Sequence, residues 1–134
     1  MAKIAEIEGI GPVYAEKLAG AGIKTTEGLL DAGASKSGRK KLAADAGVDE
    51  KAILKWVNMA DLFRVKGIGQ EYSQLLEATG VDTVKELRNR VPANLFSKME
   101  EVNTAKKLVR LTPALKNVEK WVEHAKSLDP KVTY

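Results

Sequence analysis

Gly9-Ile10-Gly11 and Gly67-Ile68-Gly69 are the same tripeptide at two places, and the residues around them repeat as well. Ile7 corresponds to Val65, Tyr14 to Tyr72, Leu18 to Leu76, Gly22 to Gly80, Thr25 to Thr83 and Leu29 to Leu87. Farther on, Lys55-Trp56-Val57 is echoed by Lys120-Trp121-Val122. One structural unit is therefore used twice. A pair of glycines allows a sharp backbone turn and leaves bare N–H groups just ahead of a helix, a device able to grip a phosphate.

The apolar spacing outside the turns is helical. Val13, Tyr14, Leu18 and Ala21 recur at three- and four-residue intervals, as do Ile53, Trp56, Val57 and Ala60. Pro12 stands where a helix begins, a position that tolerates its missing N–H, and Gly22 fits the position that ends that helix. Thr83 with Glu86 has the spacing of a capping box, whereas Thr25, followed by Gly28, keeps only the cap. Asp49 is expected to cap a long helix running to about Arg64, and Pro113 to begin its counterpart ending near Leu128. β-branched residues never alternate over a strand-length window. Each unit thus reads as helix, glycine turn, helix, short helix, further helix, long helix.

The offset between the copies changes along the chain. Gly11 and Gly69 are 58 positions apart, but Trp56 and Trp121 are 65 apart, so the second unit carries seven extra residues between Ala93 and Thr112. The last helix of the first unit leads directly into the second turn through Leu62 and Val65. The expected units are 1–64 and 65–134, with the helix near 49–64 common to both and a shared core or broad interface between them.

Bulk properties narrow the classes. A chain of 134 residues can bury roughly two-thirds of its unfolded surface, and each half alone is near the lower limit for independent folding. With 44% hydrophobic and 30% charged residues the composition is that of a globular protein, and a net charge of +4 permits a polyanionic partner without requiring one. There is no cysteine, which excludes disulfides, thiolate metal sites and cysteine catalysis. No apolar run has membrane-spanning length and no signal-peptide core opens the chain, so a cytoplasmic location is expected.

The arrangement resembles the helix-hairpin-helix motif, hydrophobic-x-x-hydrophobic-x-Gly-hydrophobic-Gly with a small residue four positions on. Ile4, Ile7, Gly9, Ile10, Gly11, Ala15 and Leu18 fill it once, and Leu62, Val65, Gly67, Ile68, Gly69, Ser73 and Leu76 fill it again. The whole chain is similar to a bacterial domain family of uncharacterised function built from paired helix-hairpin-helix units. That resemblance implies an all-α protein, tandem repeats packed as one compact helical domain of SAM-like architecture. It also implies a functional expectation. Many repair, recombination and transcription proteins use such units to bind the DNA backbone without reading sequence, while others use them as folding or protein-contact modules. The resemblance allows a monovalent cation at the hairpin carbonyls, and nothing in the sequence assigns one.

Phosphate binding at the first turn would use amides near Gly9, Ile10, Gly11 and Val13, with Lys17 one turn on; Gly67 and Gly69 are the counterparts at the second. DNA-binding members of the motif commonly place a Lys or Arg two residues after the second glycine. Here that position holds Val13 and Glu71, so the second turn reads rather as structural and the first as the better candidate. Two acid-free basic stretches supply the other half of the case: Lys36, Arg39, Lys40 and Lys41, and Lys106, Lys107, Arg110 and Lys116. Four cations on one face would engage several phosphates and make binding salt-dependent, or would simply form a solvated face. Trp56 and Trp121 recur beside valines and read as core, and His124, aligned with Met59, reads as a partly buried helix residue.

A DNA glycosylase is disfavoured, because the Gly-Pro-Asp that follows the hairpin in that family is absent. The resulting expectation is a non-catalytic module without cofactor, metal or small-molecule substrate. Its partner is nucleic acid, duplex DNA favoured, or alternatively an unidentified protein that docks on its helices.

Overall fold

Each glycine turn is closed by a single backbone hydrogen bond: the Ile10 N–H donates to the Ile7 carbonyl and the Ile68 N–H to the Val65 carbonyl, both at 3.1 Å. In this computed structural model, which describes residues 3–134, Gly9 has φ +95° and Gly67 φ +94°. A positive φ at the third residue is what a type II turn needs, and a β-carbon there would be strained.

Eight α-helices follow in order among the described residues: α1 Pro12–Gly20, α2 Thr26–Gly33, α3 Lys36–Ala46, α4 Glu50–Leu62, α5 Gln70–Ala78, α6 Val84–Arg88, α7 Pro92–Lys106 and α8 Leu115–Lys126. The all-helical reading holds, and the described residues include no strand, only one isolated bridge between Lys3 and Thr25. Before the first turn, the expected helix is a single 3-10 turn, Ile4–Glu6. Pro12 opens α1 as expected.

Local chemistry ends the helices where the glycines stand. The Ile23 N–H bonds back to the Leu18 carbonyl at 2.9 Å and the Gly22 N–H to Ala19 at 3.0 Å, and the pair Val81 to Leu76 and Gly80 to Glu77 repeats this after α5. This double return is the Schellman arrangement. Thr25 caps α2 by accepting from the Gly28 N–H at 3.0 Å, and Thr83 caps α6 by accepting from Glu86 at 3.2 Å. The capping box anticipated at Thr83 forms only in that half. The Glu86 carboxylate turns to the Arg90 guanidinium at 2.7 Å, one turn farther along.

Contacts divide the chain into two compact units, one ending at Asp61 and including Lys131–Tyr134, the other Leu62–Pro130. The return of 131–134 to the first unit departs from the expected division at 64/65. In the first unit α2 packs on α3 and α3 on α1. Gly38 permits the closeness of α3 to α2, since a β-carbon there would collide with the Ala32 carbonyl, and Gly33 brings α2 equally close to α4, where a β-carbon would collide with Val57 Cγ2. In the second unit α8 packs against α6 and α7, and α5 against α7, burying Leu75, Leu76, Leu87, Met99, Val118 and Trp121.

The extra length of the second unit lies in α7, 15 residues against 11 for α3, and in the segment 107–114, which replaces 47–49. Asn103 holds this segment by a two-way pairing with Val109, accepting from its N–H at 2.9 Å and donating to its carbonyl at 3.1 Å. Pro113 therefore does not begin the last helix. It lies buried in the connection, and α8 starts at Leu115 with Ala114 as its cap residue.

Candidate nucleic-acid interface

The tryptophans stand beneath the turns. A β-carbon on Gly9 would come 3.3 Å from Nε1 of Trp56, and one on Gly67 would come 2.9 Å from Nε1 of Trp121. Each indole also meets the tyrosine of the following helix, Tyr14 at 5.0 Å and 58°, Tyr72 at 5.2 Å and 51° between ring centroids and planes. Such tilted pairs add about 0.5–1.5 kcal/mol beyond the area they bury. The turn is thereby fixed on a rigid aromatic base in both units, and both indoles are buried as the sequence indicates.

The second glycine of each turn has a different character. Gly11 and Gly69 are the cap residues of α1 and α5, with φ −84° and −118° and no side-chain cap bond. A β-carbon on either would meet nothing within 4 Å. Neither conformation nor internal packing calls for glycine there, and what remains is open access to the first turn of a helix. The first-turn amides of a helix lack intrahelical partners and carry its positive pole.

Around this shared frame the two sites diverge. The second turn borders a groove of about 420 Å3 lined by Lys66, Gly67, Tyr72, Asn117, Lys120, Trp121 and His124. His124, half-buried, accepts the Lys66 backbone N–H at Nδ1, 3.1 Å, which ties the turn to α8. The Tyr72 hydroxyl donates to the Leu111 carbonyl at 3.2 Å, which draws the 107–114 segment, with Arg110 next to Leu111, toward the same turn. Lys116 lies one helical turn before Lys120 on the same side of α8. Glu71, whose charge argued against this turn, is exposed and is not part of the groove lining.

The first turn is surrounded differently. Val13 is 65% and Tyr14 41% exposed, Lys17 Nζ lies 5.8 Å from the Tyr14 ring centroid, and Ile10 is buried. The nearby basic stretch is directed elsewhere. Lys36 shares a groove with Asp49, Glu50 and Leu54. Leu54 and Trp56 are about 200° apart around α4, so that groove and the Gly9 turn bear on nearly opposite faces of the helix. Lys40, one turn on from Lys36, shares its side of α3, and both Lys40 and Lys41 are exposed.

Arg39 requires a correction. It was expected among the phosphate-binding cations, but it is 3% exposed and its guanidinium is committed to three carbonyls, Gly33 at 2.9 Å, Ala34 at 3.1 Å and Thr133 at 2.7 Å. It caps the end of α2 from the α3 side and holds the returning segment, and a side chain so buried does not present itself to a phosphate in solvent. Lys106 and Lys107 are exposed at the end of α7, with Lys107 in a left-handed conformation, φ 53°.

Sequence reading missed Lys66, Lys120, Asn117 and His124 as a group. The repeat itself carried the signal. At an offset of 58, Lys66 replaces Glu8; at 65, Asn117 replaces Ala52, Lys120 matches Lys55 and His124 replaces Met59. Three of these four positions become more basic or more polar in the second unit.

The profile of a domain of unknown function, DUF4332, matches residues 8–128. The chain belongs to that family. The matched span of this DUF4332 domain takes in both glycine turns, both tryptophans and the groove beside Gly67. No curated protein and no solved structure matches the chain. Among the described residues of the DUF4332 domain, no helix is long and apolar enough to cross a membrane, and no group of three or more His, Asp or Glu could hold a metal ion.

Proposed function

We propose that this protein is a non-catalytic, cytoplasmic nucleic-acid-binding module of tandem helix-hairpin-helix units that contacts the phosphate backbone of duplex DNA without reading its sequence. The contact is made by the second turn rather than the first. The observation that carries the reading is the groove that brings Lys66 and Lys120 beside Gly67, in the turn that leads into α5. Two cations lining one concavity beside the turn suit a phosphate, and contacts of this kind position a protein on a duplex without base information. Lys116, one turn before Lys120 on the same side of α8, extends the same positive surface.

The test is a salt titration of binding to a short duplex, followed by fluorescence anisotropy. Each neutralised phosphate contributes about 0.9 to the slope of log K against log salt, so Lys66→Ala/Lys120→Ala lowers that slope by about 2 and weakens binding at every salt concentration. Lys40→Glu/Lys41→Glu has the smaller effect of the two pairs. Failure of the wild type to bind duplex or single strand at low salt removes the reading.

A second reading is attached to the first turn. Exposed Val13 and Tyr14 form an apolar edge there, which supports contact with a protein partner. In that case partner recovery is unchanged by the Lys66/Lys120 substitutions and is lost with Val13→Asp.

A further inference from the structure

Residues 131–134 lie on the first unit in a seat that is more specific than chain return requires. The Thr133 N–H donates to the Ala34 carbonyl at 2.8 Å while its own carbonyl accepts from Arg39 Nη2 at 2.7 Å. Both backbone groups of one residue are thus read, as when an extended peptide pairs with a strand edge. On either side, Val132 is buried, the Tyr134 hydroxyl meets Asn58 Oδ1 at 3.3 Å, and the Arg39 guanidinium lies 5.9 Å from the Tyr134 ring centroid. Arg39 Nη1 is anchored on Gly33 and Ala34, and Nη2 is directed at the Thr133 carbonyl. With the segment in place Arg39 is 3% exposed, and withdrawing the segment takes the carbonyl acceptor from Nη2.

Nothing in the repeat requires this chemistry. The fourth residue of α7, matching Arg39 in α3, is Leu95, and the ninth of α8, matching Asn58 in α4, is Glu123. A groove of about 480 Å3, lined in part by Lys36, Asp49, Glu50 and Leu54, continues beside Tyr134.

We propose that this seat is a receptor for an extended peptide segment, with residues 131–134 occupying it in cis as a displaceable strap. The segment it fits has an apolar residue, then one held through its backbone N–H and carbonyl and through a hydroxyl that donates to the Ala34 carbonyl at 3.3 Å, then an aromatic hydroxyl. The proposal concerns the first unit and stands apart from the phosphate reading of the second.

The experiment releases the strap in the full chain with Thr133→Pro, which deletes the donated N–H, and titrates a labelled, end-capped Lys-Val-Thr-Tyr peptide. The released variant binds at least about tenfold more tightly than wild type, because the strap competes at an effective concentration on the order of millimolar. N-methylation of the peptide threonine weakens binding about tenfold, and Arg39→Leu in the released variant abolishes it. If Thr133→Pro loses its helical signal, Val132→Gly serves as the gentler release with the same expectations. Equal affinity of wild type and released variant, equal affinity of the N-methylated peptide, or no binding at millimolar peptide to a folded released variant overturns the proposal.

Discussion

Nε1 of Trp121 lies where a side chain on Gly67 would begin, only 2.9 Å from the β-carbon that glycine lacks. Trp56 stands in the same relation to Gly9 at 3.3 Å. The two landmarks of the repeat, which recur at different offsets along the chain, are therefore partners in space. A tight bend is seated on an indole, and the helix after it inherits its direction from that seat.

This separates the two glycines of a turn by function. Gly67→Ala meets both the positive φ and the indole, and is expected to lose about 1–3 kcal/mol in chemical denaturation. Gly69→Ala meets neither and loses less than about 1 kcal/mol, the ordinary difference at a helix cap. Under the proposed function it nevertheless weakens duplex binding, since the new methyl group stands in the approach to α5. Equal stability losses for the two variants would refute the division.

Arg39 is expected to matter for stability and not for phosphate. Arg39→Ala strands three carbonyls and loses about 2–4 kcal/mol, whereas the exposed neighbour in Lys40→Ala changes stability by no more than about 0.5 kcal/mol. Arg39→Lys keeps the charge but cannot fork, so it recovers only part of the loss. Urea melts of the three variants decide this; a stable Arg39→Ala protein with weakened duplex binding would restore the sequence-based assignment.

The contact of Gly33 with Val57 is open to a double-mutant cycle. Gly33→Ala forces a methyl group into Val57 Cγ2 and is expected to cost about 1–3 kcal/mol. In a Val57→Ala background that cost shrinks by at least about 1 kcal/mol, because the colliding atom is gone. An unchanged penalty in both backgrounds would place the strain elsewhere.

His124 binds the second turn through the Lys66 N–H, and its counterpart Met59 has no ring nitrogen with which to do so. His124→Met should cost about 0.5–1.5 kcal/mol. Amide exchange at Lys66 should quicken in step, by up to about tenfold, while exchange in α6 is unaffected. Exchange at Lys66 that stays as slow as in wild type would show that the bond does not hold the turn.

The repeat, the helical class, the helix starts at Pro12, Thr25 and Thr83 and the helix ends at Gly22 and Gly80 were all legible in the chain, because caps and turns are decided by hydrogen bonds spanning a few residues. Less of the site could be read. Gly9 and Gly67 were identified from the same local rules, but the lysines that line the groove at the second turn, Lys66 and Lys120, are far apart in sequence and meet only when α8 packs behind the turn. Two local expectations also failed for the same kind of reason: Glu86 chose Arg90 over its capping role, and Pro113 was drawn into the 107–114 connection held by Asn103.

Local spacing in the sequence therefore determined that this chain is a doubled helical unit with two glycine bends. Tertiary structure alone decided which cations face solvent. Arg39 and Lys40 are adjacent and chemically similar, yet one is buried because Thr133, 94 positions away, returns to meet its guanidinium. A charge can leave water only where enough acceptors converge on it, and that convergence is a property of the packed chain, not of any short stretch of it.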